Sequence, residues 1–178
     1  MTIRILLICV SFAFYSAQNS ASAEESVPDY VGKYTNDPVE IKAIEGVVAD
    51  FQRAIKEKDG ALLSGLFLHE EIFFHTAPPQ EALDHFRANV NKDFLKKHHG
   101  DQAKGFVGFI SESEKQLEER FYNVKITQDT DFALVVFDYD FRADGKVTNY
   151  GLETWQMFKV DGHWRIATVA WSSTNAKE

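Results

Sequence analysis

The sequence predicts a small α+β domain whose curved sheet is built mostly from consecutive antiparallel strands. Three observations carry that expectation. The run from Asn149 to Ser173, NYGLETWQMFKVDGHWRIATVAWSS, reads as two strands joined by a tight turn at Val160-Asp161-Gly162-His163. Asp-Gly tolerates the positive φ of a two-residue hairpin loop, and the flanks are rich in aromatic and β-branched residues. Upstream, Ile41, Ile44, Val48, Phe51 and Ile55 recur at alternating three- and four-residue steps, which puts them on one face of a helix. Between the two lie further strand-like runs, Glu118–Thr127 and Phe132–Arg142.

The first residues are read as a leader outside the fold. Arg4 gives one positive charge, Ile5 to Tyr15 is apolar, and Ala21-Ser22-Ala23 matches the small-x-small pattern of a secretory cleavage site. The apolar run is too short for a comfortable permanent span. Cleavage after Ala23 is expected, leaving Glu24 to Glu178, in the periplasm or secreted; an uncleaved anchor is the alternative. Cys9 is the one cysteine and lies in that leader. The mature chain would then have no thiol, which removes disulfides, cysteine nucleophiles and thiolate metal sites.

The chain has 27 Asp and Glu against 19 Lys and Arg, a formal charge of −8. Loss of Arg4 makes it −9. Mixed acidic charge implies a solvated surface, with no general attraction to nucleic acid and, after cleavage, none to an anionic membrane.

Residues 24–38 are polar and carry Pro28 and Pro38, which suggests a flexible leader or a strap. Asp37-Pro38 is a credible helix start, with Asp as cap and Pro in the first turn. Asp59-Gly60 ends that helix, and a short one with Leu62, Leu63 and Leu66 follows. Glu70 to Thr76 reads as a strand, Glu81 to Lys97 as a helix, and Phe106 to Lys115 as one more short helix. Four meandering strands complete one domain over residues 39–173, followed by a tail at 174–178.

This order of elements, with Gly151-Leu152-Glu153-Thr154-Trp155, Asp161-Gly162-His163-Trp164-Arg165-Ile166 and Trp171-Ser172-Ser173, resembles the nuclear transport factor 2-like superfamily. Its bacterial polyketide-cyclase (SnoaL-like) and ketosteroid-isomerase-like branches are the nearest in pattern. The resemblance implies a cone-shaped, cystatin-like roll: a curved, mostly antiparallel sheet wrapped around the long N-terminal helix. It further implies a pocket for a small apolar molecule at the open end, and an outer sheet face that often makes a homodimer. Members include isomerases, cyclases, dehydratases and hydrolases, so the fold alone does not choose a reaction.

Isomerase-like chemistry needs a carboxylate in an apolar pocket, where desolvation moves its pKa toward neutrality. The strand carboxylates Asp138, Asp140 and Glu153 are the residues of that type. Asp138 alternates with Val136 and Leu134; Glu153 alternates with Trp155 and Met157. Against this stands the simpler reading of Asp138 and Asp140 as solvated strand-end acids. His75, at the end of the first strand, suits acid–base work near neutral pH, although a bond to loop backbone is the commoner role for a histidine in that place. Catalytic candidates are therefore Asp138, Glu153 and His75. Tyr122, Tyr139, Trp155 and Trp171 are candidate ligand-binding residues, the tyrosines as donors to an oxyanion.

No metal site and no cofactor are expected. His69-Glu70-Glu71 lacks the second histidine of a zinc helix, and no glycine-rich phosphate loop or G-x-S-x-G elbow occurs. Three functions stay open: a domain binding a small apolar molecule, a cofactor-free isomerase, dehydratase or cyclase, and a homodimeric interaction module with a filled core.

Overall fold

The computed structural model describes residues 27–96 and 102–176. The expected leader at 1–23 lies outside these residues, as do His98 and His99. Val27–Lys33 forms a unit by itself, turned by a bond from Val31 N to Pro28 O. All further description concerns the unit from Tyr34 onward.

Helix α1, Pro38–Glu57, begins as its sequence dictates. The Asp37 carboxylate accepts from Val39 N at 2.8 Å and Pro38 occupies the first turn. It ends at Lys58, whose left-handed backbone lets its N–H reach the carbonyls of Ala54 and Ile55. Helix α2, Gly60–Leu66, is capped by Asp59. Helices α3, Gln80–Asn89, and α4, Gln102–Glu112, follow strand β1, Phe73–Ala77.

The sheet is completed by β2, Leu117–Asp129; β3, Phe132–Ala143; β4, Lys146–Val160; β5, His163–Ser172; and the short β6, Thr174–Asn175. Strands β2 to β5 form the expected antiparallel meander. The sequence did not reveal that β1 lies parallel to β5, giving the order β1-β5-β4-β3-β2, nor that β6 pairs with β4. Asp161 and Gly162 form the two-residue hairpin loop, both at positive φ (50° and 78°).

Three boundaries differ clearly from expectation. Helix α4 spans Gln102–Glu112 rather than Phe106–Lys115. The first strand starts at Phe73 rather than Glu70, because residues 70 and 71 turn after Leu68 N bonds Ile166 O. The third helix stops at Asn89 rather than Lys97. Asn91 Oδ1 takes the N–H of Asp93 and Arg87 Nε donates to Phe94 O, so local side-chain bonds replace the helical ladder.

Three bulges bend the strands. One extra residue sits on β2 between Tyr122 and Lys125, one on β4 between Val147 and Asn149, and one on β5 between Ile166 and Thr168. The last explains a phase change: Trp164 and Ile166 face the core before it, Val169 and Trp171 after it.

The core forms where α1 lies on the inner face. Phe51, 1% exposed, stacks against Trp155 (4.8 Å between centroids), Phe121 (5.9 Å), Phe106 (6.0 Å) and Phe67 (6.1 Å). At the helix start, Glu40 accepts from Trp164 Nε1 at 2.8 Å and pairs with Lys159 at 2.6 Å, which ties α1 to the β4–β5 hairpin. Thr35 to Asp37 are bonded to the β2–β3 turn. Buried Gln128 accepts from Asp37 N at 2.8 Å and donates to Thr130 O at 2.6 Å. Those three residues act as a strap.

Gly151 permits the closest backbone approach. A Cβ there would collide with the Ser172 carbonyl, the oxygen that also accepts from Tyr139 Oη. Gly151→Ala is expected to destabilise the fold by roughly 1–3 kcal/mol, the usual cost of forcing extra volume into a packed site. Urea unfolding with an unchanged m-value would measure it.

Candidate functional site

Because side chains alternate along a strand, one face of β2 to β5 supplies both the core and the floor of a cavity. The cavity holds about 670 Å3. Glu119, Tyr139, Phe141, Glu153 and Trp171 line it from the sheet. Phe74 of the edge strand β1 adds to that sheet wall, and Phe51 of α1 with Phe106 and Phe109 of α4 line the cavity from the helices. Ser113, Glu114 and Lys115, the segment before β2, carry the lining out to exposed residues. The walls are thus largely aromatic, with polar groups confined to a few positions.

Two of those polar groups are carboxyls out of water. Glu153 is 4% exposed and Glu119 is 5% exposed. Glu153 Oε1 accepts from Trp155 Nε1 at 2.6 Å. Glu119 makes no side-chain hydrogen bond among the described residues. Desolvation pushes the Glu153 carboxyl up to about 8, against a weaker opposing pull from the indole N–H. Desolvation also holds Glu119 far above the usual carboxyl range, and the charges of Glu153 and Asp140 add to it. The charge of Glu153 thus opposes ionisation of Glu119, so the two carboxyls resist being charged together. With one or both protonated at neutral pH, such a pair can donate a proton or, once ionised, accept one.

Tyr139 is buried on the same wall. Its hydroxyl lies 3.0 Å from Asn149 Oδ1 and 3.0 Å from Ser172 O, so its single proton serves the chain's own acceptors. Burial raises its phenol above the ordinary tyrosine value.

The candidate residues from the sequence divide by face. Glu153, Tyr139 and Trp171 line the cavity. Trp155 is fully buried next to it and reaches it through Glu153. Asp138 does share the face of Val136 and Leu134, but that face is the outer one. There it accepts from Asn123 Nδ2 at 2.7 Å, beside a shallow depression of about 280 Å3. Tyr122 is also on the outer face, donating to Asp140 at 2.8 Å. Arg142, 2.6 Å from Asp140, holds that carboxylate below its usual range. His75 is exposed and stacks on Phe73, while its neighbour Phe74 points into the cavity.

Glu119 was not singled out from the sequence. A signal existed: it is in phase with Leu117 and Phe121, which both face inward. The opposite phase offers Tyr122 and Val124 but also carries Glu118 and Arg120. Among the described residues no cluster of three or more His, Cys, Asp or Glu could hold a metal ion, and no helix is long and apolar enough to cross a membrane.

No protein-family model and no curated protein matches this sequence. Solved structures do match in fold. An NTF2-like protein of unknown function from Pseudomonas putida KT2440 superimposes with a TM-score of 0.58 at 9% identity, over 80% of this chain and 92% of that one. A cystatin-like protein of unknown function from Nostoc punctiforme gives 0.54 at 12% identity, over 78% and 93%. A candidate dehydratase of the NTF2-like family from Streptomyces avermitilis gives 0.54 at 15% identity, over 78% and 99%. The chain therefore has the nuclear transport factor 2-like, cystatin-like fold, as its sequence pattern suggests.

The buried carboxyls make stability depend on pH in a defined sense. Their folded pKa values lie above the unfolded ones, so the folded state binds more protons. Their stabilising effect is complete below the ordinary glutamate pKa and is lost as pH rises through that of the folded pair. Urea midpoints of the wild type are expected to fall from about pH 5 to about pH 8.5, and to fall less steeply in Glu119→Gln and Glu153→Gln. Parallel slopes in all three proteins would contradict the assignment.

Proposed function

We propose that this chain binds a small, mainly apolar molecule in the aromatic-lined cavity between the sheet and helices α1 and α4. The observation that supports this reading is the cavity itself. A space of about 670 Å3, bounded by Phe51, Phe74, Phe106, Phe109, Phe141 and Trp171, lies within the size range of small-molecule sites. A filled core would instead have favoured the interaction module. The neutral fluorophore N-phenyl-1-naphthylamine tests the reading. Its emission is expected to rise saturably with wild-type protein. It should not do so with Ala143→Trp, which places an indole at a half-buried lining position, provided circular dichroism shows the variant folded.

A second reading is favoured by the carboxyl pair: cofactor-free proton transfer of the isomerase, dehydratase or cyclase type. Glu153 is its proton carrier and Glu119 keeps the shared proton available. The Streptomyces avermitilis neighbour described as a candidate dehydratase is compatible with it at the level of fold. Under this reading Glu153→Gln abolishes turnover of a substrate by about a hundredfold or more while leaving fluorophore binding within a few-fold. Equal loss of both would mean that Glu153 serves binding alone.

The same proposal places the protein outside the cytoplasm as a homodimer. The leader pattern supports export, and the outer sheet face supports pairing. That face exposes Phe132, Leu134, Leu152 and Phe158 on adjacent strands. Protein recovered from the periplasm is expected to begin at Glu24, and its sedimentation mass to be twice that of the chain. A Met1 terminus, or a monomer at micromolar concentration, would remove the corresponding part.

A further inference from the structure

The sheet distributes its compensating charges unequally between its two faces. On the outer face, acids on β2 and β3 have arginine partners: Asp140 has Arg142 at 2.6 Å, and Glu118 has Arg120 at 2.9 Å. On the inner face Glu119 and Glu153 have none among the described residues. Among the described residues the one cation in the cavity lining is Lys115, which is exposed and adjoins the equally exposed Glu114. An isolated buried carboxylate is costly unless it is paired or neutralised. Glu119, 95% withdrawn from solvent and without a hydrogen-bond partner among the described residues, is aimed into the same space as seven aromatic side chains. Aromatic faces attract cations, and more strongly where water is excluded.

We propose that the ligand of this cavity is an organic ammonium. The apolar body of an aromatic or aliphatic amine lies among Phe51, Phe74, Phe106, Phe109, Phe141 and Trp171, and its charged nitrogen meets Glu119 and Glu153. This names the ligand class for the cavity reading given above and rests on it. The proton count follows from the coupled pair. An ammonium enters carrying its own proton, one carboxyl releases its proton to bulk water, and the resulting carboxylate neutralises the ligand. Affinity therefore rises with pH until the free amine itself loses its charge. The other ionisable groups lining the cavity are Tyr139 on β3 and Glu114 and Lys115 before β2, while Asp140 acts on Glu119 by charge from the outer face of the sheet. Helices α1 and α4 present Phe51, Phe106 and Phe109 to the cavity.

Three fluorescent probes with one skeleton test the idea on the full mature chain: 1-pyrenemethylamine, 1-pyrenemethanol and 1-pyrenecarboxylic acid. Fluorescence anisotropy is expected to rank the amine about tenfold or more above the alcohol at about pH 8, with the carboxylate weakest. The amine's affinity is expected to rise several-fold between about pH 6 and about pH 8, while the alcohol's stays level. In the Glu119→Gln/Glu153→Gln double variant the amine should drop to the alcohol's affinity. That variant's fold is checked by the alcohol, which should still bind. Amine and alcohol binding alike in the wild type would overturn the ammonium proposal and leave the apolar-cavity reading standing. Failure of all three probes would overturn both.

Discussion

The indole of Trp155 is the interaction on which core and cavity both depend. Its ring is completely buried, 4.8 Å from Phe51 and 5.0 Å from Phe137, so it clamps α1 to the middle of the sheet. A buried indole N–H needs an acceptor. Here the acceptor is a carboxyl two residues earlier on the same strand face, Glu153. Packing thus anchors Glu153 on one side, while its other side borders the cavity. Desolvation raises the pKa of that carboxyl, and among the described residues no cation lies beside it to offset the cost.

The three bulges turn a regular meander into a receptacle. Without the extra residue on β5, Trp164 and Trp171 could not both face inward, since they are an odd number of positions apart. With it, Trp164 seals the α1 end by donating to Glu40 and Trp171 lines the cavity. Gly151 performs a related task at the sheet's other margin. Lacking a Cβ, it lets the end of β5 come close enough for Ser172 O to accept from Tyr139. That bond directs the phenol toward the chain's own carbonyl, and the two glutamates are left as the cavity's protonic groups.

Dense and open regions lie side by side in the fold. The region around Phe51, Trp155 and Phe137 is packed solid, while the region bounded by α4 and the segment 113–115 is open. A pocket and a dense core coexist because aromatic side chains serve both: Phe51 and Phe106 stack on each other and also face the cavity. Solved structures with this fold are about as dissimilar in sequence as unrelated chains, so what the cavity does depends on its own residues.

Much of the fold was legible in the chain because local rules govern it. The Asp37-Pro38 cap, the apolar face of α1, the Asp161-Gly162 turn and the period-two strands all follow from neighbours a few residues apart. So does the inward phase of Glu153, which Trp155 and Met157 report. Legibility ended where non-local contact decided the outcome. Nothing near Phe73 indicates that β1 joins β5 in parallel, and nothing near Thr174 announces β6. Asp138 and Glu153 look alike as strand acids flanked by apolar residues. The helices cover one face of the sheet, so Asp138 was left outside and Glu153 was enclosed. Glu119 became a site residue only when β2 was laid beside β3 and the cavity walls closed around it, since burial and pKa are properties of surroundings assembled from distant parts of the chain.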